Sequence, residues 1–500
     1  MKQLIHNGVL IPPKYEAKGL HISIKGKRVR LTPEQEEMAV AFAKKMGTDY
    51  VKDRTFVKNF FRDFSERLGL KETLNLEDVD FSEITSLLER EKDLKTNMSR
   101  EEKKRQAEER RALKEARRQQ YGFAIVDGQR VEIANYMAEP SCIFMGRGKH
   151  PMRGRWKQGP EQSDIILNLS PDAPRPPGEW KGIVWQPDSM WIAKWDDKLS
   201  GKEKYIWLAD TSTVKQRRDK EKFDQAKALE KSIEKVRQHI MANLMAEDIK
   251  RRKVATVCYL IDALKLRVGD EKDKDEADTV GATTLRPSHI KIRGNGYVTF
   301  NFLGKDSVRW RKEIQLPPPV IENIKIFIQN AHSAIFNGVR SDIVSKFLGE
   351  AVPNLTAKVF RTYHATKAVK EYLDSAKVSR SDPDFVKKYV ATMANLQAAI
   401  VCNHKRKLPK NWREVLKRRI ERLRKLKKSK RKTEKTMESI EKVKVEIERM
   451  KATRDYNLRT SLKSYIDPRV YRDWGMKVDF DWKLYYPKTL QRKFSWIEGG

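Results

Sequence analysis

Between residues 408 and 453 the chain carries two apolar stripes separated by a run that no hydrophobic core can accept. Leu416, Ile420 and Leu423 recur at helical spacing, and so do Ile440, Val443, Ile447 and Met450. Between them lies Arg424-Lys-Leu-Lys-Lys-Ser-Lys-Arg-Lys432, almost wholly cationic. Apolar residues at that period line one face of a helix, and two such faces joined by a short polar link cover each other. The pattern predicts an antiparallel helical hairpin whose basic turn lies near Ser429. Like charges packed this densely repel one another, so the turn belongs in solvent or against a polyanion. The hairpin also sets residues 454–500 apart from everything before it.

The cationic bias is not local. The chain has 105 Lys and Arg against 69 Asp and Glu, a net charge of +36. Charged residues make up 35% of the total, above the quarter or so usual in globular domains, while 39% hydrophobic residues still support real cores. A length of 500 residues suits about two to four domains. Duplex DNA or RNA is the natural partner, because dense phosphate charge rewards Lys and Arg through counterion release. The bland alternative is a generally basic protein, such as a ribosome-associated factor, and charge alone says nothing about chemistry.

Three widely separated cysteines, with no CxxC pair, support neither a disulfide framework nor a zinc knuckle. No GxxxxGK[ST] loop occurs, so an ATP motor is unsupported. Gly146-Arg-Gly148 lacks the third glycine of a dinucleotide fingerprint, and the eight histidines show no metal-ligand spacing. We therefore expect neither metal nor cofactor. The N-terminus lacks the apolar stretch of a signal peptide, and no apolar run reaches the 18 or so residues that span a bilayer. A soluble intracellular protein with no membrane association is expected.

Along the chain, His21 to Leu31 reads as a hairpin, and Glu34–Met46 and Phe56–Leu68 read as helices. Ser99 to Gln120 is almost wholly charged and opens with a capping-box pair, Ser99 and Glu102. A helix polar on nearly every face is solvated, bridges lobes or lies along a polyanion. Residues 121–212 read as β-rich, with a tight turn at Asp127-Gly128. Trp180, Trp185, Trp191 and Trp195 are expected in the core rather than as a base-stacking platform. Long helical patterns fill 213–265, ending on the apolar face Val254, Val257, Cys258, Leu260, Ile261 and Leu264. Gly296 to Leu303 alternates as a strand, Gly304-Lys305-Asp306 turns, Ser307 to Trp310 returns, and helices dominate to about residue 407.

Several blocks carry a family resemblance. Leu266-Arg-Val-Gly-Asp-Glu-Lys272, Ala277-Asp-Thr-Val-Gly281, Phe302-Leu-Gly-Lys-Asp-Ser307, Leu355-Thr-Ala-Lys-Val-Phe-Arg-Thr-Tyr363 and Val401-Cys-Asn-His404 resemble blocks of the eukaryotic-type type IB DNA topoisomerases. Thr460-Ser-Leu-Lys-Ser-Tyr-Ile-Asp-Pro-Arg469 looks like the family's nucleophile block. Phe60-Phe61-Arg62-Asp63 and Phe144-Met-Gly-Arg-Gly-Lys-His-Pro151 extend the likeness through the N-terminal half. The blocks run in the family's order over nearly the whole chain.

The resemblance implies a supercoil-relaxing enzyme that nicks one strand, independently of ATP and metal, and stays attached as a 3′-phosphotyrosyl ester. It puts the catalytic positions on Arg267, Lys305, Arg361, His404 and Tyr465. A phenol of pKa about 10 is a weak nucleophile at neutral pH. Preorganised cationic donors therefore have to meet the charge that builds on the phosphate oxygens. Guanidinium suits Arg267 and Arg361 to that task, His404 can donate a further hydrogen bond, and Lys305 can protonate the departing 5′ oxygen. Arg147, Lys272, Thr279, Lys358, Asp306 and Ser464 match positions that approach DNA in the family. Ser464 stands where many members have Asn, which puts the family's drug-binding contact in doubt, and His364 stands where others have Asn. Outside that context the two arginines read as surface or phosphate-positioning residues, Lys305 as a turn lysine, His404 as a helix histidine, and Tyr465 as one of 15 tyrosines.

By resemblance the fold is a mixed α+β multidomain clamp around supercoiled duplex DNA, working as a monomer, with a helical catalytic domain of the tyrosine recombinase and type IB topoisomerase kind. Its parts are a clamp lobe over 19–102, a β-rich lobe joining 1–18 to 103–212, a catalytic lobe over 213–407, a coiled-coil linker over 408–453 and a nucleophile segment over 454–500. A site-specific tyrosine recombinase shares the same catalytic residue types. A non-catalytic chromatin or RNA-binding protein shares only the charge. Nuclear members carry a long charged tail, whereas the likeness here begins almost at Met1. The expectation is an archaeal or other non-nuclear member, or a trimmed form: cytoplasm and nucleoid in a prokaryote, nucleus in a eukaryote.

Overall fold

Short strands tied by two-residue turns give way along the chain to long helices. The computed structural model describes residues 1–269, 278–429 and 433–499, so Lys272 and, from the expected basic turn, Lys430, Arg431 and Lys432 lie outside the described residues. Two compact units result, one within 1–215 and one within 216–499. Among the described residues there are fifteen α-helices and five small sheets.

In the first unit β1 (Leu4–His6) is followed by the hairpin β2 (His21–Ile24) and β3 (Lys27–Arg30). Lys25 and Gly26 hold positive φ at its turn, the backbone that matches strand twist. Helix α1 (Pro33–Ala43) starts with proline and a reciprocal cap between Thr32 and Gln35, and α2 (Arg54–Arg67) starts on the Asp53 carboxylate. Phe42, Phe56, Phe60, Phe61 and Phe64 meet beneath them, with Phe42 stacked on Phe60 at 4.2 Å. After β4 (Val79–Asp80) and α3 (Ser82–Asn97) comes the charged helix α4 (Arg100–Tyr121), capped by Ser99 and Glu102 and burying no residue.

Strands β5 (Phe123–Val126) and β6 (Gln129–Glu132) pair around Asp127-Gly128 and add to β1. The Asp127 carboxylate accepts from the amides of Lys2 and Gln3, which fastens the chain's start to that turn. The hairpin of β7 (Cys142–Ile143) and β8 (Trp156–Lys157) is followed by a four-stranded sheet of β9 (Ile166–Asn168), β10 (Gly182–Val184), β11 (Trp191–Asp196) and β12 (Glu203–Trp207). Trp191 and Trp195 are buried in this sheet, and Trp180 and Trp185 pack against its core, as the core reading expects.

The second unit begins within α5 (Thr213–Asn243), at Gln216, and continues with α6 (Ile249–Leu264). A three-stranded sheet follows, β13 (Ile290–Ile292), β14 (Tyr297–Gly304) and β15 (Val308–Gln315). The β14–β15 hairpin is in continuous register from Tyr297↔Gln315 to Gly304↔Val308, so its tip is the Lys305–Ser307 turn. Helices α7 (Pro318–Gln329), α8 (Ser341–Ala351) and the first half of α9 (Ala357–Ser375) complete the main core, and the rest of α9 with α10 (Asp384–Val401) packs into a second one. Helices α11 (Trp412–Lys428) and α12 (Glu434–Ala452) pack on each other, and Arg419 pairs with Glu446 across them. Ile440, Val443 and Ile447 of the expected seam are buried, while Leu416, Ile420 and Leu423 are half-buried. The chain ends with α13 (Leu458–Ser464), α14 (Pro468–Val478) and α15 (Lys488–Lys493) around an aromatic core of Tyr471, Trp474, Phe480, Trp482, Tyr486 and Phe494. No described helix is long and apolar enough to cross a membrane.

Candidate active site

Helix C-termini leave carbonyls without intrahelical partners, and Arg361 exploits two of them. It lies on the buried face of α9 and is 7% exposed. Its Nη1 donates to the carbonyl of Lys265 at 2.7 Å and its Nη2 to that of Cys402 at 3.0 Å. Lys265 and Cys402 are the C-cap residues of α6 and α10, Lys265 in the left-handed conformation. One guanidinium thus closes two helix ends whose dipoles favour a cation. Its Nε is buried with no hydrogen-bond partner.

Arg267 lies three residues beyond the end of α6. The segment is held against residues 281–283: Ala282 N donates to the Arg267 carbonyl at 2.9 Å, and Thr283 N to that of Val268 at 2.8 Å. The approach requires glycine on both sides, because a Cβ on Gly281 would lie 2.4 Å from the Gly269 Cα. This explains why Val-Gly occurs twice around the site, at 268–269 and 280–281.

His404 stands just beyond α10, where Asn403 takes a left-handed turn. Its backbone N–H donates to Ala399 at 2.8 Å, and its carbonyl accepts from Asn457 N at 2.6 Å, so the stretch after α10 pairs with the stretch before α13. The ring Nε2 lies 3.4 Å from Arg361 Nη2. A guanidinium can only donate, so Nε2 accepts and the neutral imidazole carries its proton on Nδ1, which is buried without a partner. Burial, and then the charges of Arg361 and Arg267, push the His404 pKa down to about 3.

Tyr465 closes α13 as its C-cap residue. Its ring centroid lies 5.1 Å from that of His404, 5.1 Å from Arg361 Cζ and 5.9 Å from Arg267 Cζ. Four of the five expected catalytic residues, drawn from four separate stretches of sequence, therefore converge. The fifth does not: Lys305 is exposed at the β14–β15 tip and makes no hydrogen bond with the other four among the described residues. Ser464, beside Tyr465, is half-buried at the end of α13; Lys358 is exposed on the first turn of α9; Thr279 is half-buried. Asp306 belongs to the hairpin tip. Arg147 is exposed in the first unit, between two glycines of positive φ.

Some residues around the cluster escaped the sequence reading. Thr366 on α9 donates to the Tyr465 carbonyl at 3.2 Å and accepts from Asp467 N at 3.1 Å. Asn395 on α10 donates to the Leu458 carbonyl and accepts from the Ser461 hydroxyl at 2.6 Å. His364 Nε2 lies 2.6 Å from Asp262 Oδ1, whose other oxygen accepts from Arg237 Nε at 2.8 Å. Burial works against the Asp262 carboxylate, yet the bonds from His364 and Arg237 bring its pKa below the ordinary value; burial lowers that of His364. No local pattern signals these pairs, since the partners lie far apart in sequence. Among the described residues no group of three or more His, Cys, Asp or Glu side chains is arranged to hold a metal ion.

A DNA topoisomerase 1 from Homo sapiens is 33% identical to this chain over 544 residues, covering 99% of the chain and 70% of that protein. The chain belongs to the eukaryotic DNA topoisomerase I family. The family's DNA binding fragment matches residues 1–208, its catalytic core residues 211–437, and a C-terminal topoisomerase domain residues 437–499. DNA topoisomerase 1 of Candidozyma auris is 37% identical over 435 residues, covering 84% of the chain and 57% of that protein. DNA topoisomerase 1 beta of Arabidopsis thaliana is 35% identical over 538 residues, covering 99% of the chain and 58% of that protein. The chain thus spans just over half the length of these last two topoisomerases.

Proposed function

We propose that this protein relaxes supercoiled duplex DNA by transient single-strand cleavage and religation, independently of ATP and metal. The single observation that carries the reading is the convergence of Arg267, Arg361 and His404 on the Tyr465 ring. The two buried donors without partners, Arg361 Nε and His404 Nδ1, are the atoms a phosphate oxygen would engage.

In this reading Tyr465 Oη attacks the scissile phosphorus as the bond to the 5′ oxygen breaks. The phenolic proton passes to water, and the Lys305 ammonium supplies a proton to the leaving oxygen. Arg267, Arg361 and His404 stabilise the equatorial oxygens. The 3′-phosphotyrosyl ester keeps the phosphodiester's energy, so resealing needs no nucleotide. With Lys305 on an exposed hairpin tip, DNA itself would bring the fifth group into the site. Family membership favours this activity over site-specific recombination and over a non-catalytic chromatin or RNA-binding role.

A clamp lobe over 19–102, a β-rich lobe joining 1–18 to 103–212, a catalytic lobe of tyrosine-recombinase type over 213–407, a coiled-coil linker over 408–453 and a nucleophile segment over 454–500 belong to the same proposal. So does a monomer that clamps duplex DNA with Arg147, Lys272, Thr279, Lys358, Asp306 and Ser464 among its contacts. Most contacts would go to phosphates, giving binding with little sequence preference. The working compartment would be the nucleoid of a prokaryote or the nucleus of a eukaryote. The deciding experiment is covalent trapping on a suicide duplex. Wild-type protein is expected to form a denaturant-resistant 3′ adduct, and Tyr465→Phe to form none while keeping its DNA affinity. An adduct in that variant would move the nucleophile elsewhere.

A further inference from the structure

The tyrosine segment has little to hold it in place by itself. Helix α13 spans only Leu458–Ser464, too short to be stable alone. Tyr465 ends it, Asp467 caps the start of α14, and Ile466 between them is fully buried. Such a corner leaves a terminal carbonyl on one side and an initial amide on the other. Thr366 Oγ1 serves both, donating to the Tyr465 carbonyl at 3.2 Å and accepting from Asp467 N at 3.1 Å. The same helix, α9, carries Arg361 roughly one and a half turns earlier.

We propose that Thr366 is a positioning residue for the nucleophile, fixing the Tyr465 peptide to the helix that carries Arg361. The inference rests on the assignment of Tyr465 as nucleophile. It goes further by naming what sets the phenol's direction. Other ties hold the corner at different atoms: the amides of Tyr465 and Ile466 both donate to the Ser461 carbonyl, at 2.9 and 3.2 Å. Asn395 holds the Leu458 carbonyl and Ser461 at the far end of α13. Arg469 binds the Asp467 carboxylate and Asp224. Ile466 anchors the corner in the core. With those in place, losing the Thr366 hydroxyl leaves the corner folded and loosens the Tyr465–Ile466 peptide at its carbonyl end, while its amide end stays on Ser461. A looser carbonyl lets the ring shift relative to His404 and Arg361, which lie 5.1 Å from it. In-line attack tolerates such error poorly: a misplacement of about 1 Å can cost on the order of 10²-fold.

The test compares single-turnover cleavage and religation by wild type, Thr366→Val and Thr366→Ser, with DNA affinity measured in a Tyr465→Phe background. Valine keeps the volume and removes both hydrogen bonds; serine keeps the hydroxyl. Thr366→Val is expected to slow cleavage about 10- to 100-fold at unchanged DNA affinity, and to shift the cleavage–religation ratio. Thr366→Ser is expected to stay within about threefold of wild type. If valine impairs folding, Thr366→Ala is measured in its place. Cleavage by the hydroxyl-free variant within about twofold of wild type, or a serine variant as slow as valine, would overturn the inference. A wild-type protein that forms no adduct would overturn the nucleophile assignment itself, which is a different result from an active wild type indifferent to Thr366.

Discussion

Lys305 has a side chain suited to proton donation and a setting that leaves it unengaged by the clustered residues. It is exposed on the hairpin turn and bonds to none of them. If it protonates the 5′ oxygen, Lys305→Ala should slow cleavage by roughly 10²–10⁴-fold. A 5′-bridging phosphorothiolate, whose sulfur leaves with little protonation, should recover most of that loss. Equal defects on both substrates would reduce Lys305 to a contact residue. Histidines make a second prediction. His404 titrates near 3 and His6 near 4, against 6.5 for a free imidazole, and burial is the leading cause of both shifts. His6 is fixed as the Nε2–H form, because Nδ1 accepts from Gly8 and Nε2 faces the Asn168 carbonyl. Below pH 6.5 the unfolded chain takes up protons that the folded one refuses. The stabilisation is therefore complete above about 6.5 and shrinks as pH falls toward the folded values, by up to about 1.4 kcal/mol per pH unit and histidine. Denaturant melts between pH 7.5 and 5.5 should show this slope, and His404→Gln should flatten it. Identical slopes would mean that His404 is not held neutral. The residue types of the site were legible from the motifs. Thr366, Asn395 and the Asp262 partner of His364 were not, because each acts across dozens of residues of sequence.

At the scale of elements, periodicity and turn chemistry carried most of the reading. The β14–β15 hairpin, the Asp127-Gly128 turn and the Ser99 cap all have local causes and stand where the sequence puts them. Helix ends shifted by a few residues: α1 begins at Pro33 and stops at Ala43, short of Met46, where the chain turns to Gly47. The seam of α11 and α12 was legible for the same reason, but its asymmetry was not. Helix α12 also packs on α10 and buries three residues, whereas α11 buries none. The described part of the cationic run, Arg424 to Lys428, thus lies on the last turns of the helix that buries no residue. Changing Arg424, Lys425, Lys427, Lys428, Lys430, Arg431 and Lys432 to Gln should leave single-turnover cleavage nearly unchanged. It should flatten the salt dependence of DNA binding, since every phosphate that is no longer neutralised takes about 0.9 off the logarithmic slope. It should also change the number of supercoils removed per cleavage event, measured in single-molecule relaxation traces. An unaltered salt slope together with an unaltered step size would make the run a solvated face only.

For the whole molecule the surplus of 36 positive charges is the governing quantity. It was legible at once, whereas the close approach of 267, 361, 404 and 465 depends on long-range packing that composition does not encode. Transition-state charge in the proposed reaction is met by side chains, so relaxation should proceed in EDTA without nucleotide. A strict metal requirement for the cleavage step itself would contradict the mechanism. If the proposed reaction holds, the site's architecture also bears on when the protein would become dangerous to DNA. Arg361 finds its carbonyl partners only after α6, α9 and α10 have come together, and Tyr465 reaches them only through the last part of the chain. Chains emerging from the ribosome fold N-terminal parts first. Under the proposed function, a nascent or half-folded copy would have the charge to hold DNA before it had the site to cut it. The ability to break a strand would arrive together with the frame that holds the broken end, so a copy too immature to reseal DNA would also be too immature to nick it.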